Sequence, residues 1–121
     1  MTAKKFTVIY SFILHEGKST EFIHAWTELT KLIYQYEGSY GSCLHRASDI
    51  LFIGYAQWPS LEQWEQSGSR LPANADKLRT TMRSCCVKIK TEYELAVVSD
   101  LLHDSLFSEL DAKTTQNDNT N

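Results

Sequence analysis

The sequence predicts an α+β domain in which helices back one face of a four-stranded antiparallel sheet. Hydrophobic residues alternate with a period of two in four segments, which is typical of strands. In the segments between them, apolar residues recur at steps of three and four, as on one face of a helix. The resulting order of strand, helix, strand, strand, helices and strand is the ferredoxin-like βαββαβ arrangement.

The first predicted strand runs from Lys5 to Leu14 and is apolar on both faces, because Ile9 and Ile13 alternate with the larger apolar series. A strand of this kind is covered on both sides. Helices can cover one face, so we expect the other to meet a second sheet. A homodimer joined through sheet faces supplies that sheet most simply.

A helix should follow, with Ser19 as its N-cap and Gly38 at its end. Ser39 to Ala47 reads as the second strand and Ile50 to Trp58 as the third, with a turn at Ser48-Asp49 between them. The apolar stripe of the helix consists of Phe22, Trp26, Leu29, Ile33 and Tyr36.

Pro59 should end the third strand, because proline cannot donate to the strand ladder. Ser60 is then expected to cap a short helix, with Gln63 completing a capping box and Gly68 ending the helix. Pro72 can open the next helix at its first position. A fourth strand over 87–98 should follow that helix. The apolar stripe of the helix consists of Leu71, Ala75, Leu78, Met82 and Cys85.

These elements predict one domain over residues 1–110, with a core at about 5–98. A short helix is expected within 100–110. Residues 111–121 contain no large apolar side chain and are expected to form a disordered tail.

Composition excludes several classes of function. The net charge of −3 argues against a nucleic-acid binder. No stretch is apolar and long enough for a membrane helix, and no signal-peptide pattern occurs. Cys43, Cys85 and Cys86 form neither a disulfide framework nor a zinc motif, so we expect no bound metal and a reducing, cytoplasmic setting.

Several residues of this sequence match a known family. They are Gly17-Lys18 before the first helix, Ala25-Trp26 within it, Gly38 at its end, and above all the run from Tyr55 to Ser60, YAQWPS. Together with the order of elements, they resemble the antibiotic biosynthesis monooxygenase (ABM) domain over roughly Lys5 to Val98. The resemblance implies a dimeric α/β barrel. Oxygenases of that family work without a metal or an organic cofactor and oxidise quinols, phenols or polyketide-like aromatics with O₂.

The resemblance also points to candidate site residues. Trp58 matches the family's tryptophan at the end of the third strand, and the small Gly54 and Ala56 on its face could leave space for a substrate. His45 is a candidate base and Tyr10 a candidate hydrogen-bond donor. Further candidates for substrate binding are Tyr55 and Arg83.

Each candidate also has a structural interpretation. Trp58 can equally be a core residue, and a single histidine in a strand is more often structural. Trp26 and Trp64 are expected to be core. Two functions therefore stay open: a cofactor-independent monooxygenase acting on a small aromatic, or a non-catalytic dimer that binds a small molecule or supports another protein.

Overall fold

The computed structural model describes residues 5–102, and within this range it contains four strands and three helices. Their order is strand, helix, two strands, two helices and strand, as the sequence predicts. Their bounds are β1 Phe6–Leu14, α1 Ser19–Glu37, β2 Gly41–Arg46, β3 Leu51–Trp58, α2 Leu61–Glu65, α3 Asn74–Ser84 and β4 Cys86–Ala96.

The four strands form one antiparallel sheet in the order β2-β3-β1-β4. In the centre of the sheet, Tyr10 of β1 lies opposite Gly54 of β3, and Phe6 lies opposite Trp58. Residues paired in this way project from the same face of a sheet. The fold class is therefore confirmed, and the buried face of β3, which carries Gly54 and Trp58, lies towards the helices.

The core lies between this face of the sheet and the helices. Its centre is a cluster of three mutually tilted aromatic rings, in which Phe22 of α1 lies 5.0 Å from Phe12 and 5.4 Å from Phe52, measured between ring centroids. The strict alternation of buried and less buried residues along β3 reflects the two faces of the sheet.

Two helix starts differ from prediction. Ser19 is the first residue of α1 rather than its cap, and the capping position is held by Lys18, whose side chain makes no capping hydrogen bond. α3 begins at Asn74, two residues after Pro72. The residue preceding it, Ala73, cannot cap through its side chain. Gly38 does end α1, in the left-handed conformation with φ 77°, which glycine adopts without strain.

Helix α2 is capped as predicted, but Gln63 has a different role. The Ser60 hydroxyl accepts a hydrogen bond from the Gln63 backbone N–H at 3.1 Å. The Gln63 side-chain amide, instead of returning to Ser60, donates to the Glu37 carbonyl oxygen at 3.0 Å. The capping box is therefore open, and the side chain connects α2 to the end of α1. The helix itself ends at Glu65, before Gly68.

The second face of the sheet, which we call the outer face, carries exposed apolar side chains on β4 and near the C-terminal end of β1. Tyr93 is 62% exposed, Leu95 44% and Ile13 36%. After β4 the chain crosses the outer face, where residues 97–102 line a groove together with side chains of β2 and β3. The predicted helix at 100–110 and the predicted tail lie largely or wholly outside the described residues.

Candidate functional site

A cavity of about 170 Å³ lies between the sheet and α1. Its walls are mainly apolar and aromatic, which is the usual character of a small-molecule site. They are formed by β1, β3 and α1, with contributions from β2, α3 and β4: Tyr10, Phe12, Trp26, Leu29, Thr30, Ile33, Ser42, Gly54, Tyr55, Ala56, Trp58, Met82 and Ile89.

The cavity adjoins a surface groove between α1 and the edge strand β2. Trp26, Thr30 and Ser42 border both spaces. The groove is wider and more open, at about 490 Å³, and it continues past Tyr34 and Gly41. A ligand would therefore enter between α1 and β2, passing the two hydroxyl groups of Thr30 and Ser42.

Trp58 lies in the wall of the cavity and is almost fully buried, with 4% of its surface exposed. Its ring packs among Phe6, Val8 and Ala56. The indole N–H is buried and donates to no residue in the described part of the chain. A buried donor without an acceptor costs roughly 1–3 kcal/mol of stability, so its presence at a cavity wall calls for an explanation.

Tyr10 brings the second polar group to the cavity. Its hydroxyl oxygen accepts a hydrogen bond from the indole N–H of Trp64 in α2, at 2.8 Å. Burial raises the pKa of Tyr10 above its usual value, the Trp64 hydrogen bond lowers it, and the nearby Glu94 carboxylate raises it, with a net increase. The hydroxyl is therefore protonated at neutral pH and can donate.

Gly54 makes room for the aromatic wall. A Cβ atom at this position would lie 3.1 Å from Cε2 of Phe12 and 3.8 Å from the indole nitrogen of Trp26. The next residue along this face of β3, Ala56, is buried and also small. The small residues thus lie where the sequence places them, although part of the space they leave is taken by Phe12.

The structure brings Trp58, Gly54, Ala56, Tyr10 and part of Tyr55 together in the cavity wall, but not His45 or Arg83. His45 is opposite Ile53 in the β2–β3 register and borders the groove on the outer face, across the sheet from the cavity. It therefore cannot act as a base on a ligand in the cavity.

Tyr55 and Arg83 are also placed away from the centre of the cavity. Tyr55 contributes to its wall, but the tyrosine hydroxyl accepts a hydrogen bond from Gln57 at 2.8 Å and borders the outer-face groove. Arg83 is exposed on α3 and is absent from the cavity wall, where Met82 takes part instead.

Two tryptophans expected to be core residues belong to the site. Trp26 separates the cavity from the entrance groove, and Trp64 holds the Tyr10 hydroxyl. The signal for Trp26 was its place in the apolar stripe of α1, which cannot distinguish a cavity wall from a packed core. α2 is only five residues long, so periodicity gave no indication of where Trp64 points.

Within residues 5–102, no group of three or more His, Cys, Asp or Glu side chains is arranged to hold a metal ion. In the same range, no helix combines the length and apolar character needed to cross a bilayer.

Comparison with solved structures finds the same fold in several oxygenases and related proteins. SnoaB, a cofactor-independent oxygenase from Streptomyces nogalater, has a TM-score of 0.65 and 14% identity, covering 84% of this chain and 100% of SnoaB. A Chloroflexus aurantiacus protein provisionally named an antibiotic biosynthesis monooxygenase has a TM-score of 0.67 and 13% identity, covering 79% of this chain and 95% of that protein. A similarly named Bordetella bronchiseptica protein has a TM-score of 0.65 and 16% identity, covering 79% of this chain and 99% of that protein.

No family model matches the chain, and no curated protein matches its sequence. The solved structures nevertheless show that the fold is that of the antibiotic biosynthesis monooxygenases, so the resemblance in the sequence is confirmed for the fold. Fold similarity at these identities does not carry the chemistry with it.

Proposed function

We propose that this protein is a cofactor-independent monooxygenase that oxidises a small quinol, phenol or related aromatic with O₂. The observation that carries the proposal is the aromatic-walled cavity in which a buried Trp58 N–H has no acceptor among the described residues and the Tyr10 hydroxyl is held by Trp64. Both donors belong to side chains of the cavity wall, and we infer that they bind an oxygen atom of a flat, apolar ligand. The shared fold with SnoaB supports the same class of reaction.

The proposed reaction balances with the aromatic substrate and O₂ as its only reactants. A hydroquinone and O₂ together give a hydroxyquinone and water: one ring C–H bond becomes C–O, and the second oxygen atom leaves as water. All four electrons that reduce O₂ come from the substrate. The protein's part is to exclude water, to hold the ring, and to stabilise negative charge as it develops on the substrate oxygen. Trp58 and Tyr10 supply the donors for the last task.

Oxygen uptake tests this proposal. The purified chain, treated with chelator, is mixed with a panel of hydroquinones, naphthols and anthrones in an oxygen electrode. We expect uptake above the spontaneous rate for at least one compound, with one O₂ consumed per quinone formed and no hydrogen peroxide released. If every compound reacts only at the spontaneous rate, the oxygenase proposal is wrong.

We further propose that the protein is a homodimer joined through the outer faces of the two sheets. The exposed apolar residues of this face, among them Ile13, Tyr93 and Leu95, support it, because a lone chain rarely leaves such a surface open to water. Light scattering at micromolar concentration should give twice the chain mass of 13.9 kDa. A folded species of single-chain mass would contradict the dimer.

The alternative of a non-catalytic binding protein has one observation in its favour. The wall of the cavity, as far as the chain is described, contains no His, Asp, Glu, Lys or Arg side chain. A site without a base must rely on the substrate's own acidity or on water. Saturable binding of an aromatic ligand without oxygen uptake would favour this alternative.

A further inference from the structure

We propose that the inner cavity selects a ligand with a single aromatic ring bearing an oxygen acceptor, and that Tyr10, positioned by Trp64, binds that oxygen. The inference rests on the proposed function in taking the cavity as the substrate site. It goes further by fixing the size of the ligand, the residue that recognises its oxygen, and the residue that orients the recognising group.

The volume limits the ligand to one ring. An apolar protein cavity of about 150 Å³ is known to admit benzene. The cavity here, at about 170 Å³, therefore admits one ring with one or two small substituents. A three-ring compound would have to leave part of its ring system in the open groove between α1 and β2.

The direction of the Tyr10 hydroxyl follows from its hydrogen bonding. A tyrosine hydroxyl carries one proton to donate, and its oxygen can accept. Here the oxygen accepts from the Trp64 indole, which can only donate. No residue in 5–102 accepts the Tyr10 proton in return. Because Tyr10 lines the cavity, the proton is available to an oxygen atom of a ligand bound there.

The surroundings keep this group a donor. Burial and the Glu94 carboxylate together outweigh the Trp64 hydrogen bond and leave the pKa of Tyr10 above its usual value. The group therefore does not act as a base near neutral pH. The negative charge of Glu94 also disfavours a ligand that arrives as an anion, which favours a neutral phenol over a carboxylate or phosphate ester.

Trp64 is fixed independently of Tyr10. Its helix is capped by Ser60, its neighbour Gln63 donates to the end of α1, and its ring lies 5.8 Å from that of Phe6. Trp64 is not part of the cavity wall. We therefore infer that it acts through Tyr10, as a positioning residue, by holding the hydroxyl in one rotamer and polarising its O–H bond.

The experiment is an anaerobic binding titration, so that no turnover intervenes. Phenol, toluene and anthrone are titrated into the intact chain, and binding is followed by calorimetry. We expect phenol to bind, toluene to bind about three- to tenfold more weakly because it lacks the acceptor, and anthrone to show no saturable binding. Tyr10→Phe should reduce phenol affinity to the level of toluene and leave toluene unchanged.

A double-mutant cycle separates positioning from general damage. Trp64→Phe should weaken phenol binding by a similar factor in the wild type, but should have no further effect in the Tyr10→Phe background. Glu65→Gln, an exposed change on the same helix, serves as the control and should leave all affinities unchanged. Additive effects of the two substitutions, or equal affinities for phenol and toluene, would overturn the proposal.

The result also distinguishes this inference from the proposed function. Tyr10-dependent phenol binding without oxygen uptake by any compound leaves the inference standing and removes the oxygenase. Oxygen uptake with anthrones, together with anthrone binding as tight as phenol binding, removes the one-ring limit and leaves the oxygenase standing.

Discussion

The side-chain carboxylate of Glu37, the last residue of α1, is completely buried and lies 3.0 Å from the guanidinium Nε of Arg70. The Arg70 N–H is not aligned with the carboxylate oxygen, so the contact is an ion pair rather than a linear hydrogen bond. The Gly68 N–H donates to the second oxygen. With the Gln63 amide on the Glu37 carbonyl, these contacts fasten the end of α1 to the segment that carries Trp64.

Removing Arg70 should therefore destabilise the fold more than removing an exposed partner does. Arg70→Ala leaves the Glu37 carboxylate buried without its counter-ion, so we expect the free energy of unfolding to fall by about 2 kcal/mol. The loss is smaller than at a fully buried ion pair because Arg70 is half exposed and solvent screens its charge. The control is Lys31→Ala, which removes the exposed pair with Glu28 and should cost about 0.3–0.5 kcal/mol. Urea unfolding of both variants measures the difference, and equal losses would show that the burial of Glu37 contributes nothing.

The order of elements could be read from the sequence because each strand or helix repeats its pattern over several turns or pleats. The face of β3 that carries Gly54, Ala56 and Trp58 followed from alternation alone, which fixes faces within one strand. Relations between strands were not accessible. The face of His45 depends on how β2 pairs with β3, and a register shifted by one residue would move it to the cavity side.

The polar part of the site was harder to predict for a related reason. The Trp64–Tyr10 hydrogen bond joins residues 54 positions apart, and it depends on where a five-residue helix lies against the sheet. The Gln63–Glu37 contact is of the same kind: the capping pattern predicted a local bond, and a tertiary acceptor took the side chain instead. The sequence therefore singled out Trp58 and Tyr10 as candidates, but not the tertiary contact with Trp64 that holds the Tyr10 hydroxyl.

Adding side-chain volume at Gly54 should lower ligand affinity in a graded way. An alanine Cβ would lie 3.1 Å from the Phe12 ring, which is closer than an ordinary van der Waals contact, so the ring must move. A valine adds two further methyl groups, although its strand propensity is favourable. We expect Gly54→Ala to weaken phenol binding severalfold and Gly54→Val to abolish it, with both variants folded by circular dichroism. Unchanged affinity in the valine variant would place the ligand elsewhere.

Trp58→Phe should separate catalysis from stability. The substitution keeps most of the apolar wall and deletes an indole N–H that donates to no described residue. Loss of this unsatisfied donor offsets the loss of ring volume, so we expect the melting temperature to change by only a few degrees. On any phenol that the wild type oxidises, the rate should fall by on the order of a hundredfold, as for the loss of one well-placed donor. A variant that is stable and fully active would exclude Trp58 from the reaction.

The three cysteines should report on the outer face. Cys85 is buried. The pKa of Cys86 is raised to about 11, mainly by burial and also by the adjacent Cys85. Neither thiol should therefore react quickly with a disulfide reagent at pH 8. Cys43 is exposed and borders the outer-face groove. We expect one fast-reacting thiol per chain at nanomolar concentration, absent in Cys43→Ser. At high micromolar concentration this reaction should slow severalfold, because pairing of the outer faces covers Cys43. A labelling rate independent of protein concentration over this range, with light scattering at single-chain mass, would refute the sheet-face dimer.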